Sequence, residues 1–473
     1  MNPVFLNQTC DPFIPRNQPC TLGNHVQYAV NVSSPEHIKS TVQFVKQHNI
    51  RLVVKNTGHD YMGRSTGAGA VSLWTHHLRN VTWYPSYRGS GYIGPAFKAY
   101  AGARSIDLVE AANAQGHVLV GGQCSTVGFT GGYIQGGGHS VLSSVYGLAA
   151  DQALEFEVVT TDGRLVTASP TENEDLFWAL RGGGGGTYAI VWSVTIKAYP
   201  DRPSTLAFLH FTSEGISPEA YWEALQTYLA LTPKLTDAQL VSSASLHKET
   251  FSLSPLFGFD KTSTEVAELI DPFIKRLDNL GINYTHSITT YPTYLDAYRN
   301  LNDLGSIGNF LLGGWLMPRS VWEDTSDFQA YKEAAREILD DGGIVVTFAM
   351  RPTREVAGSP ENAVLPAWRD AEQLVITAKA LQNGEPLPQI AEGQATITNI
   401  YDAALKKVAP RSGAYLNEAD SNEPDFKTAF YGSNYERLLA IKDKWDPEQM
   451  LYGSIAVGGD RWYQTDEGRL CRT

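Results

Sequence analysis

Two reactive side chains, His59 and Cys124, lie in glycine-rich loops of this 473-residue chain. His59 follows Gly58, and Cys124 stands between a Gly-Gly pair and Gly128. An imidazole nitrogen and a thiolate are the side chains best able to bond to an electrophilic carbon of an oxidised ring cofactor such as a flavin. Because glycine has no Cβ, such loops also let the backbone approach a planar cofactor and its pyrophosphate. The pair therefore predicts a flavin cradle with two covalent attachments.

Each of these residues also has a simpler interpretation when it is taken alone. His59 could hydrogen-bond within its own loop, and Cys124 could be an inert buried thiol. The sequence lacks the motifs of a metal site, because it has no HExxH or CxxC pattern, and it lacks a P-loop for nucleotide phosphates. No Gly-x-Gly-x-x-Gly opens a helix after the first predicted strand, which disfavours a Rossmann dinucleotide site. We therefore expect a flavin and no metal.

The composition describes a well-packed globular protein, with 42% hydrophobic and 18% charged residues. The length favours two domains. A formal net charge of −13 repels phosphate backbones, so we expect no nucleic-acid partner. No run of about 18 apolar residues occurs, so we expect no transmembrane helix. We expect a monomer that acts on a small molecule.

Features near the N-terminus and on the predicted surface favour a secreted, extracellular protein. Cys10 and Cys20 lie in a Pro- and Asn-rich arm with little core of its own, where a disulfide is expected. The chain also has acceptor sequences for N-glycosylation. They are at Asn7, Asn31, Asn80 and Asn283.

The reactive loops are predicted to follow short strands in an alternating α and β segment. Residues 25–32 form a predicted strand, Ser34 is a predicted N-cap, and 51–55 form the strand that delivers His59. Between them, apolar residues at i, i+4 and i+7 predict a helix with one buried stripe. They are Ile38, Val42 and Val45.

Further elements follow from the same reasoning. Asp162-Gly163 predicts a hairpin turn between strands at 154–161 and 164–169. The five glycines at 182–186 lie between a predicted helix and a predicted strand, which favours a cofactor loop over a flexible linker. From about residue 204 the glycine density falls and α+β character begins, which predicts a second domain. Its predicted helices are 218–231, 263–277 and 326–339, and its predicted strands include 310–317 and 343–350; a last helix is predicted at 434–445.

Several of these motifs resemble the berberine-bridge-enzyme-like branch of the vanillyl-alcohol-oxidase superfamily. The resemblance is strong over residues 25–200 and 410–473 and weak between them. It is carried by Lys55–Ser65, Cys124–Gly128, Gly131–His139, Tyr146–Asp151, Leu180–Gly182, Tyr188–Val191, Tyr415–Asn417, Phe430–Tyr435 and Trp445–Pro447.

The resemblance implies an α+β fold in which a two-part FAD-binding domain of the PCMH type, residues 1–203 and 413–473, encloses a substrate domain at 204–412. That inserted domain is expected to be an antiparallel sheet covered by helices. The resemblance also implies that His59 bonds to the 8α-methyl of FAD and Cys124 to C6 of the isoalloxazine. Its implied FAD-binding residues are Val54, Asn56, Thr57, Gly58, His59, Asp60, Gly63, Arg64, Ser65, Gln123, Cys124, Val127, Gly128, Gly131, Gly132, Tyr133, Gly137, Gly138, His139, Gly147, Leu148, Gly186, Tyr188, Ile190, Val191, Asn417 and Asn434.

Two positions depart from the family pattern. Tyr133 stands where many relatives have a histidine, and Glu418 stands where plant relatives have the tyrosine that often acts as the base. We therefore rank Tyr415 and Glu418 as candidate bases, with Asp420 as a possible partner. A tyrosine base needs its pKa lowered, and a glutamate base needs its pKa raised by burial. Val127 either admits oxygen near the flavin or simply packs.

The expected reaction is hydride transfer from a C–OH carbon to flavin N5, followed by reduction of O₂ to H₂O₂. Three functions stay open at this level. They are an extracellular oxidase of alcohols or carbohydrates, a tailoring oxidase of secondary metabolism acting on an aromatic or alkaloid-like molecule, and a catalytically silent flavin-loaded binding protein.

Overall fold

A small parallel sheet forms the N-terminal part of the fold. The computed structural model describes residues 3–6, 9–10, 14–301, 310–382, 384–465 and 468–473. In this sheet Val71–Trp74 pairs with Tyr28–Asn31 on one side and Leu52–Lys55 on the other. The helix Pro35–Gln47 connects the outer strands and buries Ile38, Val42 and Val45, as predicted. Ser34 is its N-cap, although its side chain makes no capping hydrogen bond.

A five-stranded antiparallel sheet follows in the chain. Its strand order is Val81–Gly89, Tyr92–Tyr100, Ile190–Lys197, Ala153–Val159 and Leu165–Ala168. The last two strands pair around Asp162-Gly163, which confirms the predicted hairpin. Gly163 has a φ of +85°, a left-handed conformation that favours glycine. The helices that accompany this sheet are Ser105–Asn113, Ser143–Tyr146 and Glu174–Leu180.

Residues from Ser204 onward form a larger antiparallel sheet of seven strands. Its order is Tyr284–Tyr291, Ser204–Thr212, Thr250–Phe259, Val241–Leu246, Ile344–Ala349, Ala371–Ala380 and Phe310–Pro318. Long helices pack against this sheet and against each other. They are Pro218–Asp237, Ser263–Asn279 and Thr325–Asp340, with the short helices Tyr294–Tyr298 and Ser320–Glu323 beside them. The first is longer than predicted, because it continues through Pro233.

The chain then returns to the N-terminal elements. The helices Leu387–Thr396 and Asp402–Val408 still pack against the strand Phe310–Pro318. The returning segment contributes the helices Phe426–Tyr431 and Tyr435–Trp445 and a hairpin that pairs Trp462–Gln464 with Leu470–Arg472. Leu451 bridges to Leu52 of the parallel sheet. Lys442 and Asp446 form a fully buried ion pair, and the Lys442 ammonium donates to the carbonyl of Thr187, 2.8 Å away. These contacts hold the C-terminal segment against the N-terminal part.

The predicted α+β class is confirmed. The seven-stranded sheet falls entirely within residues 204–412, but the domain limits themselves stay a prediction. Cys10 and Cys20 form the expected disulfide. Asn31, Asn80 and Asn283 are exposed, whereas Asn7 lies outside the described residues. Among the helices described, none combines the length and apolar character needed to cross a membrane.

Candidate active site

A cavity of about 500 Å³ lies between the glycine loops and one face of the seven-stranded sheet. Most of the predicted cofactor residues line it. They are Val54, Asn56, Thr57, Gly58, His59, Asp60, Arg64, Ser65, Gln123, Cys124, Val127, Gly128, Gly131, Gly132, Tyr133, His139, Gly186, Val191 and Asn417. The candidate bases Tyr415 and Glu418 line it too. Residues from both ends of the chain therefore meet at one site.

His59 and Cys124 approach the same hydroxyl group. His59 Nε2 lies 2.7 Å from Thr126 Oγ1, and Cys124 Sγ lies 3.7 Å from that oxygen. The two loops are also joined directly, because the backbone N–H of Gly128 donates to Thr57 Oγ1 over 3.3 Å. The imidazole and the thiol thus reach the cavity side by side, although 64 other residues separate them in sequence.

The loop that carries His59 is closed by one carboxylate. Asp60 accepts hydrogen bonds from the backbone N–H groups of Met62 and Ser65, at 2.9 and 2.7 Å, and from the Ser65 hydroxyl at 2.9 Å. At the start of the loop, the Asn56 amide donates to the carbonyl of Ala101 over 2.7 Å. These bonds fix the loop backbone and leave His59 at the cavity.

Glycines form part of the cavity wall and leave room for a bulky planar group. A Cβ added at Gly131 or Gly186 would meet no atom within 4 Å, so a side chain there would project into the open cavity. Glycine is required at position 185 for a different reason: an added Cβ would lie 2.8 Å from Cα of Gly132. The cavity therefore has glycine where a ligand needs room and where two backbones touch. Together with His59 and Cys124, this wall fits FAD.

A carboxylate and an imidazole form a pair on the side of the cavity nearest the large sheet. Glu418 Oε2 lies 3.0 Å from His139 Nε2. The backbone carbonyl of His139 accepts from the Tyr133 hydroxyl over 3.0 Å, and its ring packs against Phe348 at 5.1 Å between centroids. The position and orientation of His139 are therefore restrained by polar and aromatic contacts.

Tyr415, the other candidate base, is almost completely buried. Its hydroxyl accepts from the Asn417 amide over 2.8 Å. Burial raises the pKa of Tyr415, and the negative charge of Glu418 raises it further. Since a tyrosine base needs the opposite shift, Tyr415 is a neutral hydroxyl at physiological pH. This environment suits a hydrogen-bond donor, and Glu418 is the other candidate base at the cavity.

Comparison with known proteins agrees with this geometry. Residues 26–169 match the model of the FAD binding domain, and residues 414–453 match the model described as berberine and berberine like. The FAD-linked oxidoreductase patO of Aspergillus clavatus is 44% identical over 475 residues, which cover 100% of this chain and 82% of that protein. The chain belongs to the berberine-bridge-enzyme-like branch of the vanillyl-alcohol-oxidase superfamily. It is an FAD-dependent oxidoreductase.

Solved structures support the same fold. The VAO-type flavoprotein MtVAO615 of Myceliophthora thermophila C1 superposes with a TM-score of 0.92 at 35% identity, covering 100% of this chain and 87% of that one. Glucooligosaccharide oxidase of Acremonium strictum superposes with a TM-score of 0.75 at 20% identity, covering 91% and 92% of the two chains. At that identity the second likeness concerns the fold alone.

Some residues expected to touch the flavin do not line the cavity of this berberine-bridge-like chain. They are Gly63, Gly137, Gly138, Gly147, Leu148, Tyr188, Ile190 and Asn434. Several instead support the loops that do. The carbonyls of Gly137 and Gly138 accept from the backbone N–H groups of Ala150 and Ala149 at 2.9 Å, and the buried Tyr188 hydroxyl donates to the carbonyl of Gly183. Asn434 donates to the carbonyls of Ala363 and Val364.

Asp420, the expected partner of the base, also lies away from the cavity. It is buried and accepts from the amide of Gln394 and the hydroxyl of Thr398, each at 2.6 Å. Its carboxylate belongs to a buried cluster with Asp402 and Glu423, none of which lines the cavity. The structure therefore brings His139 to Glu418 in the place where sequence reasoning expected Asp420.

Sequence reasoning missed one wall of the cavity altogether. This wall consists of residues on neighbouring strands of the seven-stranded sheet, together with His247, which directly follows one of them: Ser245, His247, Phe310, Leu312, Ile344, Val346, Phe348, Ile376 and Ala378. The alternation of Ile344, Val346 and Phe348 indicates one face of a strand. It does not indicate whether that face covers a helix or a ligand.

Proposed function

We propose that this chain is an oxidase that holds FAD through both His59 and Cys124, oxidises a C–OH group of a small molecule and passes the electrons to O₂. One observation carries the proposal: both side chains reach the same cavity beside Thr126. The solved glucooligosaccharide oxidase is described with a 6-S-cysteinyl, 8α-N1-histidyl FAD, which is the same pair of side-chain types.

When bound, FAD would supply the hydride acceptor and the site at which O₂ is reduced to H₂O₂. The chain would supply the proton acceptor. In this proposal Glu418 takes the proton of the substrate hydroxyl, and His139, 3.0 Å from it, orients the carboxylate. Tyr415 remains protonated and donates a hydrogen bond toward the substrate oxygen. Val127 lines the same cavity and would leave room for O₂.

The covalent attachments can be tested without any substrate. The protein is denatured in acid, freed of small molecules, and its mass and absorbance are measured. We expect FAD to stay with the wild-type polypeptide. The amount of attached FAD should fall in His59→Ala and in Cys124→Ala, and no FAD should remain attached in the double variant. His210→Ala and Cys471→Ala are matched controls, because neither residue lines the cavity. Pigment that leaves the denatured wild type completely would contradict the proposal.

Oxidation of alcohols is tested by peroxide release and by anaerobic bleaching of the flavin. A tailoring oxidase of an apolar or aromatic molecule is favoured over a carbohydrate oxidase, because aliphatic side chains dominate the sheet wall of the cavity. Peroxide release measured with a panel of sugars, oligosaccharides and apolar alcohols distinguishes the tailoring oxidase from the carbohydrate oxidase. A protein that reacts with dithionite and O₂ but is reduced by no member of the panel would favour the silent binding protein.

We also propose that the chain is a secreted glycoprotein and a monomer. The disulfide between Cys10 and Cys20 and the exposed sequons at Asn31, Asn80 and Asn283 support secretion. Deglycosylation of protein from its native source should lower its mass, and light scattering should give the mass of one chain. An unglycosylated intracellular protein would contradict the first part and a dimer the second.

A further inference from the structure

Adjacent strands of the large sheet present one continuous apolar surface to the cavity. The residues of this surface pair across the strands and so form rows that run across the sheet. Val346 pairs with Ile376 on the next strand, and Ile344 pairs with Ala378. Ala378 in turn pairs with Leu312. All five side chains line the cavity. Since cross-strand partners share a face, these rows form a single hydrophobic wall.

One end of this wall lies at the Glu418–His139 pair. Phe348, two residues beyond Val346 on the same strand, contacts the ring of His139 at 5.1 Å. A strand rises about 3.3 Å per residue, so Ile344 lies roughly 13 Å from Phe348 along the wall. An extended molecule with its reacting carbon at Glu418 would therefore run along aliphatic side chains toward Ile344.

Two polar side chains lie along one side of the wall: His247 is at the Ile344 end, and Ser245 is midway between Ile344 and Phe348. Ser245 pairs with Val346, and His247 follows Leu246, which pairs with Val345, so His247 lies beside Ile344. Both side chains line the cavity. Within the part of the chain that the structure describes, His247 hydrogen-bonds only through its backbone, to Tyr221 and Thr250, and neither its ring nor the Ser245 hydroxyl is bonded to another residue. Burial lowers the pKa of His247, so its imidazole is neutral and can both donate and accept.

We propose that Ser245 and His247 bind a second polar group of an elongated, mainly apolar alcohol whose oxidised carbon lies at Glu418. The assignment of the reacting end rests on the proposed function. A free hydroxyl or carbonyl at the far end of such a molecule would satisfy both side chains. An oligosaccharide would instead place many hydroxyls against aliphatic side chains that offer no hydrogen bonds, which opposes its binding.

Binding is measured by perturbation of the flavin absorbance, so that the result does not depend on turnover. The probes are decanol, the decanediol with a hydroxyl at each end, and cellobiose. We expect both alcohols to bind, cellobiose to bind much more weakly, and the diol to bind roughly five-fold more tightly than decanol, as one added hydrogen bond allows.

Substitutions test whether the side chains of Ser245 and His247 cause the tighter binding of the diol. His247→Phe and Ser245→Ala should remove or reduce it while leaving the affinity for decanol unchanged, and His247→Gln should keep part of it. His210→Phe is the control, because His210 lies in the same sheet, is exposed and does not line the cavity. The retained flavin absorbance and the unfolding midpoint of each variant show that it is folded.

The proposal is overturned if cellobiose binds more tightly than the alcohols, if decanol and the diol bind equally, or if His210→Phe loses the preference as His247→Phe does. None of these results bears on the covalent attachment of FAD, which the acid-denaturation experiment tests separately. Conversely, a wild type that loses its flavin on denaturation can still show the diol preference before denaturation.

Discussion

The carboxylate of Glu418 lies 3.0 Å from Nε2 of His139, although the two residues are 279 positions apart in the chain. His139 follows the glycine loops of the N-terminal part, and Glu418 lies in the returning C-terminal segment. The pair therefore forms only when both parts of the chain are folded together. The imidazole of His139 is also packed against Phe348 of the large sheet, so three regions of the chain surround the Glu418 carboxylate.

Replacing Glu418 by glutamine should slow flavin reduction strongly, because an amide cannot accept the hydroxyl proton. We expect a loss of about a hundred- to ten-thousand-fold in the anaerobic reduction rate, the range typical of a lost general base. Stopped-flow absorbance with an identified substrate measures it. Glu214→Gln, at an exposed position, should leave the rate unchanged. An unchanged rate in Glu418→Gln would remove Glu418 from the mechanism.

Replacing Tyr415 by phenylalanine distinguishes a hydrogen-bond donor from a base. Because burial raises the pKa of Tyr415, the hydroxyl is protonated and its loss removes one hydrogen bond. We expect the reduction rate to fall by about ten-fold, with the shape of its pH profile retained. Loss of the basic limb of the profile, or a fall as large as that of Glu418→Gln, would instead identify Tyr415 as the base.

Side chains added at Gly131 should displace the cofactor without unfolding the protein. An added Cβ there meets no atom and points into the cavity, so Gly131→Ala and Gly131→Leu should lower flavin content progressively at an unchanged apo-protein unfolding midpoint. Gly185→Ala is the contrasting variant, because its Cβ would contact the Gly132 backbone and lower the midpoint. Full flavin content in Gly131→Leu would show that the cofactor does not occupy this region.

The buried ion pair of Lys442 and Asp446 should be important for stability. Lys442→Met leaves Asp446 charged and without its cation in the interior, which should cost about 3–5 kcal/mol of unfolding free energy. Lys444→Met, which removes an exposed pair with Asp175, should cost at most about 1 kcal/mol. Urea unfolding measures both, and equal effects of the two substitutions would contradict this interpretation.

Stability should depend on pH through Asp402. Burial and the nearby Asp420 raise the pKa of Asp402 well above its ordinary value of 3.8, so the folded protein binds a proton that the unfolded chain has released. The contribution of this group is fully present below pH 3.8 and is lost as the pH rises through the elevated folded pKa. Asp402→Asn should therefore gain stability relative to the wild type as the pH rises above 3.8, measured by urea unfolding across pH. A difference that does not change with pH would contradict it.

The sequence predicted those parts of the structure that depend on local chemistry. The turn at Asp162-Gly163 and the helix with Ile38, Val42 and Val45 on one face follow from backbone and side-chain preferences within a few residues. His59 and Cys124 could be identified as candidate cofactor ligands because glycines surround both of them. Glycine marks positions at which a side chain would prevent a ligand from approaching the backbone.

Tertiary structure decided which distant groups meet. Asp420 lies only two residues from Glu418, but the chain turns its carboxylate away from the cavity, while His139 comes close from a remote loop. Likewise, the alternation at Ile344, Val346 and Phe348 identifies a strand face, but only the docking of the large sheet places that face over the cavity. Proximity across such separations is set by packing between elements, and a local pattern of residues carries no information about it.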